Sequence, residues 1–215
     1  MMNDVIMNVL AQLNGMKIET VCFTGSRPNK LRGYVKDSYV PFVDTLTEVL
    51  TYLHDTFGTS KYISGGAQGM DQLSFWSVER LKNIVADKNT VKNILHKPFD
   101  GQEGRWLRTG LFSQHEYNLM CRCADETVVV DSKVSPDDYR QVCRALDNRN
   151  HSMVDISDLV IALYEDDGWH TAQHSGTANC MQYAYAQHKP ILQLMYEKSN
   201  DVTRPLIITG ATLYL

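Results

Sequence analysis

The stretch Ser64-Gly65-Gly66-Ala67-Gln68-Gly69-Met70-Asp71 decides how the chain is read. A short strand-like run, Lys61-Tyr62-Ile63, precedes it, and an apolar helical pattern carrying Leu73, Trp76, Leu81 and Ile84 follows. A glycine-dense turn between strand and helix lets backbone N–H groups converge where the helix dipole is positive, a place for an anion and most often a phosphate. Further on, Ser175-Gly176-Thr177-Ala178-Asn179 repeats the arrangement after a stronger strand over 159–164.

Outward from the first turn, the pattern alternates. On its N-terminal side, the spacing predicts a core strand over 18–23 that runs into Thr24-Gly25-Ser26-Arg27-Pro28. A helix over 37–54 follows, with Phe42, Val43, Leu46, Val49, Leu50 and Leu53 as its buried stripe and Pro41 in its first turn. On the C-terminal side come a strand over 93–96, a polar turn over 100–106, and a helix from Leu107 through Leu111 to about Cys123. Thr127-Val128-Val129-Val130 reads as a strand because all four residues are β-branched. Ser135-Pro136-Asp137-Asp138 starts a helix with Tyr139, Val142, Cys143 and Leu146 as its apolar face. A helix over 178–187 and a strand over 191–195 close the pattern, and Leu206-Ile207-Ile208 is a candidate edge strand.

At the N-terminus Val5, Ile6, Val9, Leu10 and Leu13 sit at helical spacing, with Asn3 or Asp4 as cap and Asn14-Gly15 as stop. That stripe needs the main core or another subunit to cover it. Strand and helix signals alternate about six times, which predicts an α/β fold: a Rossmann-like, doubly wound, mostly parallel sheet with helices on both faces. We expect a single domain over 1–215, including an N-terminal helix within 1–15 and a C-terminal tail over 197–215. In such sheets the ligand sits beyond the carboxyl ends of the strands, and the polar turns all fall at that edge.

Composition excludes several classes. Hydrophobic residues make up 43% and charged residues 21%, ordinary for a globular protein. The net charge is −4 and the basic residues are scattered, so no bulk field attracts a nucleic-acid backbone. No apolar run reaches the roughly 20 residues of a membrane-spanning helix, and the N-terminus lacks the basic region of a signal peptide. Five cysteines have no disulfide rhythm, and Cys121-x-Cys123 lacks a second ligand pair, so no metal site is expected. Cys22 and Cys180 read as buried thiols, and the expected compartment is the reducing cytoplasm.

Taken together, several motifs resemble the YpsA-like branch of the SLOG superfamily. They are Thr24-Gly25-Ser26-Arg27-Pro28, the turn 65–71, Pro98-Phe99 with Gln102 and Trp106, Arg149-Asn150 with Met153-Val154-Asp155, and Gly176-Thr177-Ala178-Asn179. The superfamily also includes the DNA-processing protein A (Smf) proteins and the "lonely guy" phosphoribohydrolases. The resemblance implies a Rossmann-like sheet with a pocket for a nucleotide or nucleotide-derived ligand, and it implies pairing of subunits. The phosphoribohydrolases typically carry Pro-Gly-Gly-x-Gly-Thr-x-x-Glu with a catalytic glutamate. This chain has Ala172-Gln173-His174-Ser175-Gly176-Thr177-Ala178-Asn179-Cys180 instead, with Cys180 where that glutamate would stand.

The expected ligand site is therefore Gly25, Ser26, Arg27, Gly65, Gly66, Ala67, Gln68, Gly69, Asp71, Gln102, Trp106, Arg149, Asn150, Ser175, Gly176, Thr177 and Asn179. Gly65, Gly66 and Gly69 would offer amides to phosphate, Ser26, Arg27 and Thr177 would add donors, and Asp71 would accept ribose hydroxyls. Structural alternatives stand beside these roles: an ion pair for Arg27, a first-turn acid at Asp71, and a core position rather than base stacking for Trp76.

The first functional expectation is a binding protein for an ADP-ribose- or NAD-like molecule or a signalling nucleotide. It would act as a sensor or by sequestering its ligand, with no required cofactor and as a homo-oligomer. The second is an N-glycosidase or phosphoribohydrolase-type nucleotide hydrolase. Asp71 and Asp155 would supply its carboxylates, and His151, His170 or His174 its acid–base groups. Single-stranded nucleic-acid binding is a third reading, disfavoured by the acidic balance.

Overall fold

Seven strands and six α-helices carry out the alternation in a computed structural model that describes residues 4–215. The strands are β1 (Thr20–Gly25), β2 (Lys61–Ser64), β3 (Lys92–Lys97), β4 (Glu126–Val129), β5 (Leu159–Leu163), β6 (Ile191–Tyr196) and β7 (Ile208–Tyr214). They form one sheet in the order β4-β3-β2-β1-β5-β6-β7, parallel throughout except for β7. This is the Rossmann-like α/β architecture the alternation predicts. The tail contributes the antiparallel edge, beginning where the candidate strand 206–208 ends.

The helices are α1 (Asp4–Leu10), α2 (Val40–Phe57), α3 (Met70–Lys82), α4 (Gln114–Cys123), α5 (Tyr139–Asp155) and α6 (Gly176–Ala186). One face of the sheet is covered by α1, α2 and α3, whose buried residues share a core with Val21 and Phe23 of β1 and Leu159, Ile161 and Leu163 of β5. The other face carries α5 and α6 around Cys22, Val160, Ala162 and Trp169. Alternation along β1 and β5 explains the division, since successive side chains point to opposite faces. Met120 of α4 packs with Phe75 of α3 and Leu95 of β3 in a smaller cluster.

Several expectations are settled between alternatives or corrected here. The N-terminal stripe is used internally: Ile6, Leu10 and Leu13 are buried in the main core and α1 packs on β7, so no second subunit is needed to cover them. Asn3, one of the two candidate caps, lies outside the described residues. The helix expected from Leu107 begins only at Gln114. Gly110 and Phe112 take φ values of +98° and +58°, which no α-helix accommodates, and the Ser113 hydroxyl then caps the start by accepting from the Glu116 N–H. Ile84 falls beyond the end of α3 and is exposed. Trp76 is half-buried and sets its ring edge-on to Phe75, at 5.3 Å.

The region leading to Asp155, ambiguous in sequence, resolves into one long helix. Asp138 accepts from the N–H groups of Arg140 and Gln141 and starts α5, which absorbs Arg149-Asn150 and Met153-Val154-Asp155 in a single run. Ala145, Arg149 and Met153 are buried four residues apart, one stripe turned toward the sheet. Among the described residues no helix is long and apolar enough to cross a membrane.

Candidate functional site

Chain order reverses between β1 and β5, which run in register with Gly25 opposite Leu163. Beyond those carboxyl ends opens a cavity of about 470 Å³, within the range of small-molecule sites. It is lined by Thr24, Gly25, Ser26, Arg27, Asn29 and Lys30 after β1, and by Ala67 and Asp71 at the start of α3. Tyr139, Cys143, Leu146, Asp147, Arg149 and Asn150 of α5 and His174, Ser175, Gly176, Thr177 and Asn179 around the start of α6 complete it.

Its floor is a buried ion pair. Arg149, only 4% exposed, donates from Nη1 to Asp71 Oδ2 at 2.7 Å. The Ala67 N–H donates to the same oxygen at 3.2 Å. Arg149 Nε is buried with no hydrogen-bond partner, and Nη2 donates to none of the described residues. A guanidinium has five N–H donors, and burying the Nε–H without a partner is costly unless an acceptor arrives.

The walls add positive potential. Ser175 Oγ caps α6 by accepting from the Ala178 N–H at 3.3 Å, leaving the Gly176 and Thr177 N–H groups at the positive end of the helix without backbone acceptors among the described residues. Asn150 Nδ2 donates to the Gly176 carbonyl at 3.5 Å and ties α5 to this turn. The Arg27 side chain keeps solvent access, yet desolvation by the surrounding protein lowers its pKa, with Asp71 opposing and Arg149 adding to the shift. Arg27, Asp71 and Arg149 thus share one electrostatic neighbourhood. Ser26 lies deeper, its hydroxyl 3.1 Å from that of Tyr196.

Of the expected residues, Gly25, Ser26, Arg27, Ala67, Asp71, Arg149, Asn150, Ser175, Gly176, Thr177 and Asn179 meet at this cavity. Gly65, Gly66, Gln68, Gly69, Gln102 and Trp106 do not line it. A Cβ on Gly65 would overlap the Arg149 guanidinium. A Cβ on Gly69, at φ +92°, would collide with the Ser26 carbonyl oxygen where the two loops cross. Gln68 donates to the Phe112 carbonyl at 2.7 Å. Gln102 donates to the Tyr117 hydroxyl at 2.6 Å and to the Gly65 carbonyl at 3.4 Å, while Trp106 packs edge-on to Tyr117 at 5.3 Å. The glycines beside them are therefore packed from behind by side chains and by the neighbouring loop.

Asp155 sits at the opposite edge of the sheet. It ends α5 just before the amino end of β5 and accepts from the Tyr183 hydroxyl at 2.7 Å, because α5 runs antiparallel to the strands. His151 stacks on Tyr183 and His170 on Trp169, so of the three candidate histidines only His174 reaches the cavity. Cys180 lies beneath it, 1% exposed, its thiol pushed up to about 11 by burial against the opposing effect of a hydrogen bond with Thr24. It is a neutral packing group there.

Sequence reasoning missed Asn29, Lys30, Tyr139, Cys143, Leu146 and Asp147 as site residues. The signal for α5 was present. Tyr139, Cys143, Leu146 and Asn150 recur at i, i+4, i+7 and i+11, one helix face, which reads as a core stripe until the fold shows that it borders a cavity.

Fold and cavity together define a Rossmann-like protein with an open cavity at the switch point of its sheet. A family model described as the YspA SLOG family (YpsA) matches residues 21–199, and the chain belongs to that family. It is also similar to the uncharacterized SPbeta prophage-derived protein YoqJ of Bacillus subtilis (strain 168), with 32% identity over 146 residues. That match covers 66% of this chain and 78% of the relative.

Proposed function

We propose that the protein binds a phosphate-bearing, nucleotide-derived small molecule, ADP-ribose- or NAD-like or a signalling nucleotide, and acts as a sensor or by sequestering it. Arg149 carries this reading: a buried side chain on a cavity floor, held by Asp71 through Nη1 and with its Nε buried and unpaired. A phosphate oxygen fits that need, and the amides of Gly176 and Thr177 with Arg27 and Lys30 surround the same space. Membership of the SLOG family suggests the same ligand class.

Base–ribose hydrolysis is the competing reading. Asp71 is committed to Arg149 and Asp155 is at the far edge, so Asp147 on the cavity wall would have to supply the free carboxylate. Thermal shift against a panel of nucleotides, NAD and ADP-ribose, with chromatography of each mixture, tests both. Stabilisation without turnover supports binding, release of free base would replace binding by hydrolysis, and no shift with any phosphate-bearing compound would remove both. Arg27→Ala should weaken binding about tenfold with little effect on folding, as expected for one charge-assisted hydrogen bond. The proposal includes homo-oligomeric assembly in the cytoplasm, and light scattering of the purified protein checks the assembly.

A further inference from the structure

The cavity has two unlike sides. The floor and the α6 side are polar and cationic, as described above. The other side is the start of α5, where Tyr139, Cys143 and Leu146 present a ring, a thiol and a branched alkyl group. Tyr139 is 79% exposed although it begins a helix whose later turns are buried. The stripe changes character along its length: Tyr139, Cys143 and Leu146 come first, then Asn150 reaches the Gly176 carbonyl. A large aromatic left open on the wall of a cavity that also holds an anion cradle can receive a flat apolar group on the same ligand.

Building on the phosphate-ligand reading, we propose that the Tyr139–Cys143–Leu146 wall of α5 is the nucleobase subsite. The base stacks on the Tyr139 ring, the sugar spans the cavity, and the phosphate lies at Arg149 and the start of α6. Asp147, on the same wall, is available to accept from a base amino group or a ribose hydroxyl. The ligand class is then a nucleoside phosphate with an accessible base face, and the base contributes affinity as well as the phosphate. Stacking on an aromatic side chain is sequence-tolerant, so this wall recognises a base as such, and Asp147 selects among bases.

The test compares ribose 5-phosphate with the four common nucleoside 5′-monophosphates by calorimetry, on wild type, Tyr139→Ala and Tyr139→Phe. We expect at least one nucleotide to bind wild type about tenfold or more tighter than ribose 5-phosphate. Tyr139→Ala should erase that advantage while leaving ribose 5-phosphate affinity unchanged, and Tyr139→Phe should keep it. Equal affinities for ribose 5-phosphate and every nucleotide, or an advantage that survives Tyr139→Ala, would overturn the base subsite and leave the phosphate site standing. Binding of neither class would overturn the base subsite as stated, and the phosphate reading falls with it only when NAD, ADP-ribose and the rest of the nucleotide panel fail as well. Because Tyr139 is exposed at a helix start, its variants should fold, and matching circular dichroism confirms that.

Discussion

The two glycine turns look alike in sequence and do different work in the fold. The turn from Ser64 to Asp71 has three glycines, and space at each is already taken: by Arg149 at Gly65, by Tyr117 and Leu95 at Gly66, and by the Ser26 carbonyl at Gly69. The turn from Ser175 to Asn179 has one glycine, and a Cβ there would meet nothing within 4 Å. Glycine density therefore marks the crowded turn, and the sparser turn is the open one. The first turn builds the cavity floor by letting a guanidinium lie over its backbone, and the second lends its helix end to the wall.

That contrast can be broken most severely at Gly65. Gly65→Ala should push the Arg149 guanidinium off Asp71 and cost about 3–5 kcal/mol, the usual penalty for separating a buried pair, as measured by urea denaturation. A loss below about 1 kcal/mol would mean that Arg149 has an alternative position.

Next in size is a pH effect beneath the first turn. Burial, with the Arg149 charge adding to it, pushes His96 down to about 4 from an ordinary 6.5. Between those values the unfolded chain binds the proton and the folded one does not. Stability should thus be complete above about pH 6.5 and fall toward pH 4, by up to about 3 kcal/mol. His96→Gln should flatten this part of the stability profile, and an unchanged profile would assign the slope to other groups.

The second turn should respond less. Ser175→Ala removes the α6 cap and should cost about 1 kcal/mol, together with weaker ligand binding, in paired melting and titration experiments. Gly176→Ala is the smallest change: with open space and a helical position, stability should stay level or rise by about 0.4–1 kcal/mol. A large loss there would erase the distinction between the turns.

The sheet was legible because strands buried on both faces are written as apolar runs rich in β-branched residues, as in Leu159-Val160-Ile161-Ala162-Leu163. About half of the cavity was legible too, since loops that end parallel strands must fall at one edge. Phe112 was not: nothing local announces its positive φ, and the expected helix ran through it. Nor was Tyr139, whose helical spacing matches that of a core residue.

By itself, the sequence determined the alternating strands and helices, the edge at which the polar turns gather and the family resemblance. These rest on short-range periodicity and turn chemistry, which each segment carries on its own. Tertiary structure decided that Arg149 meets Asp71, 78 residues away in the chain, that Asp155 ends at the opposite edge, and that one stripe of α5 passes from core to cavity. Such facts depend on how far each helix extends beyond the sheet and on which atoms already occupy the space beside a glycine, and only packing sets those.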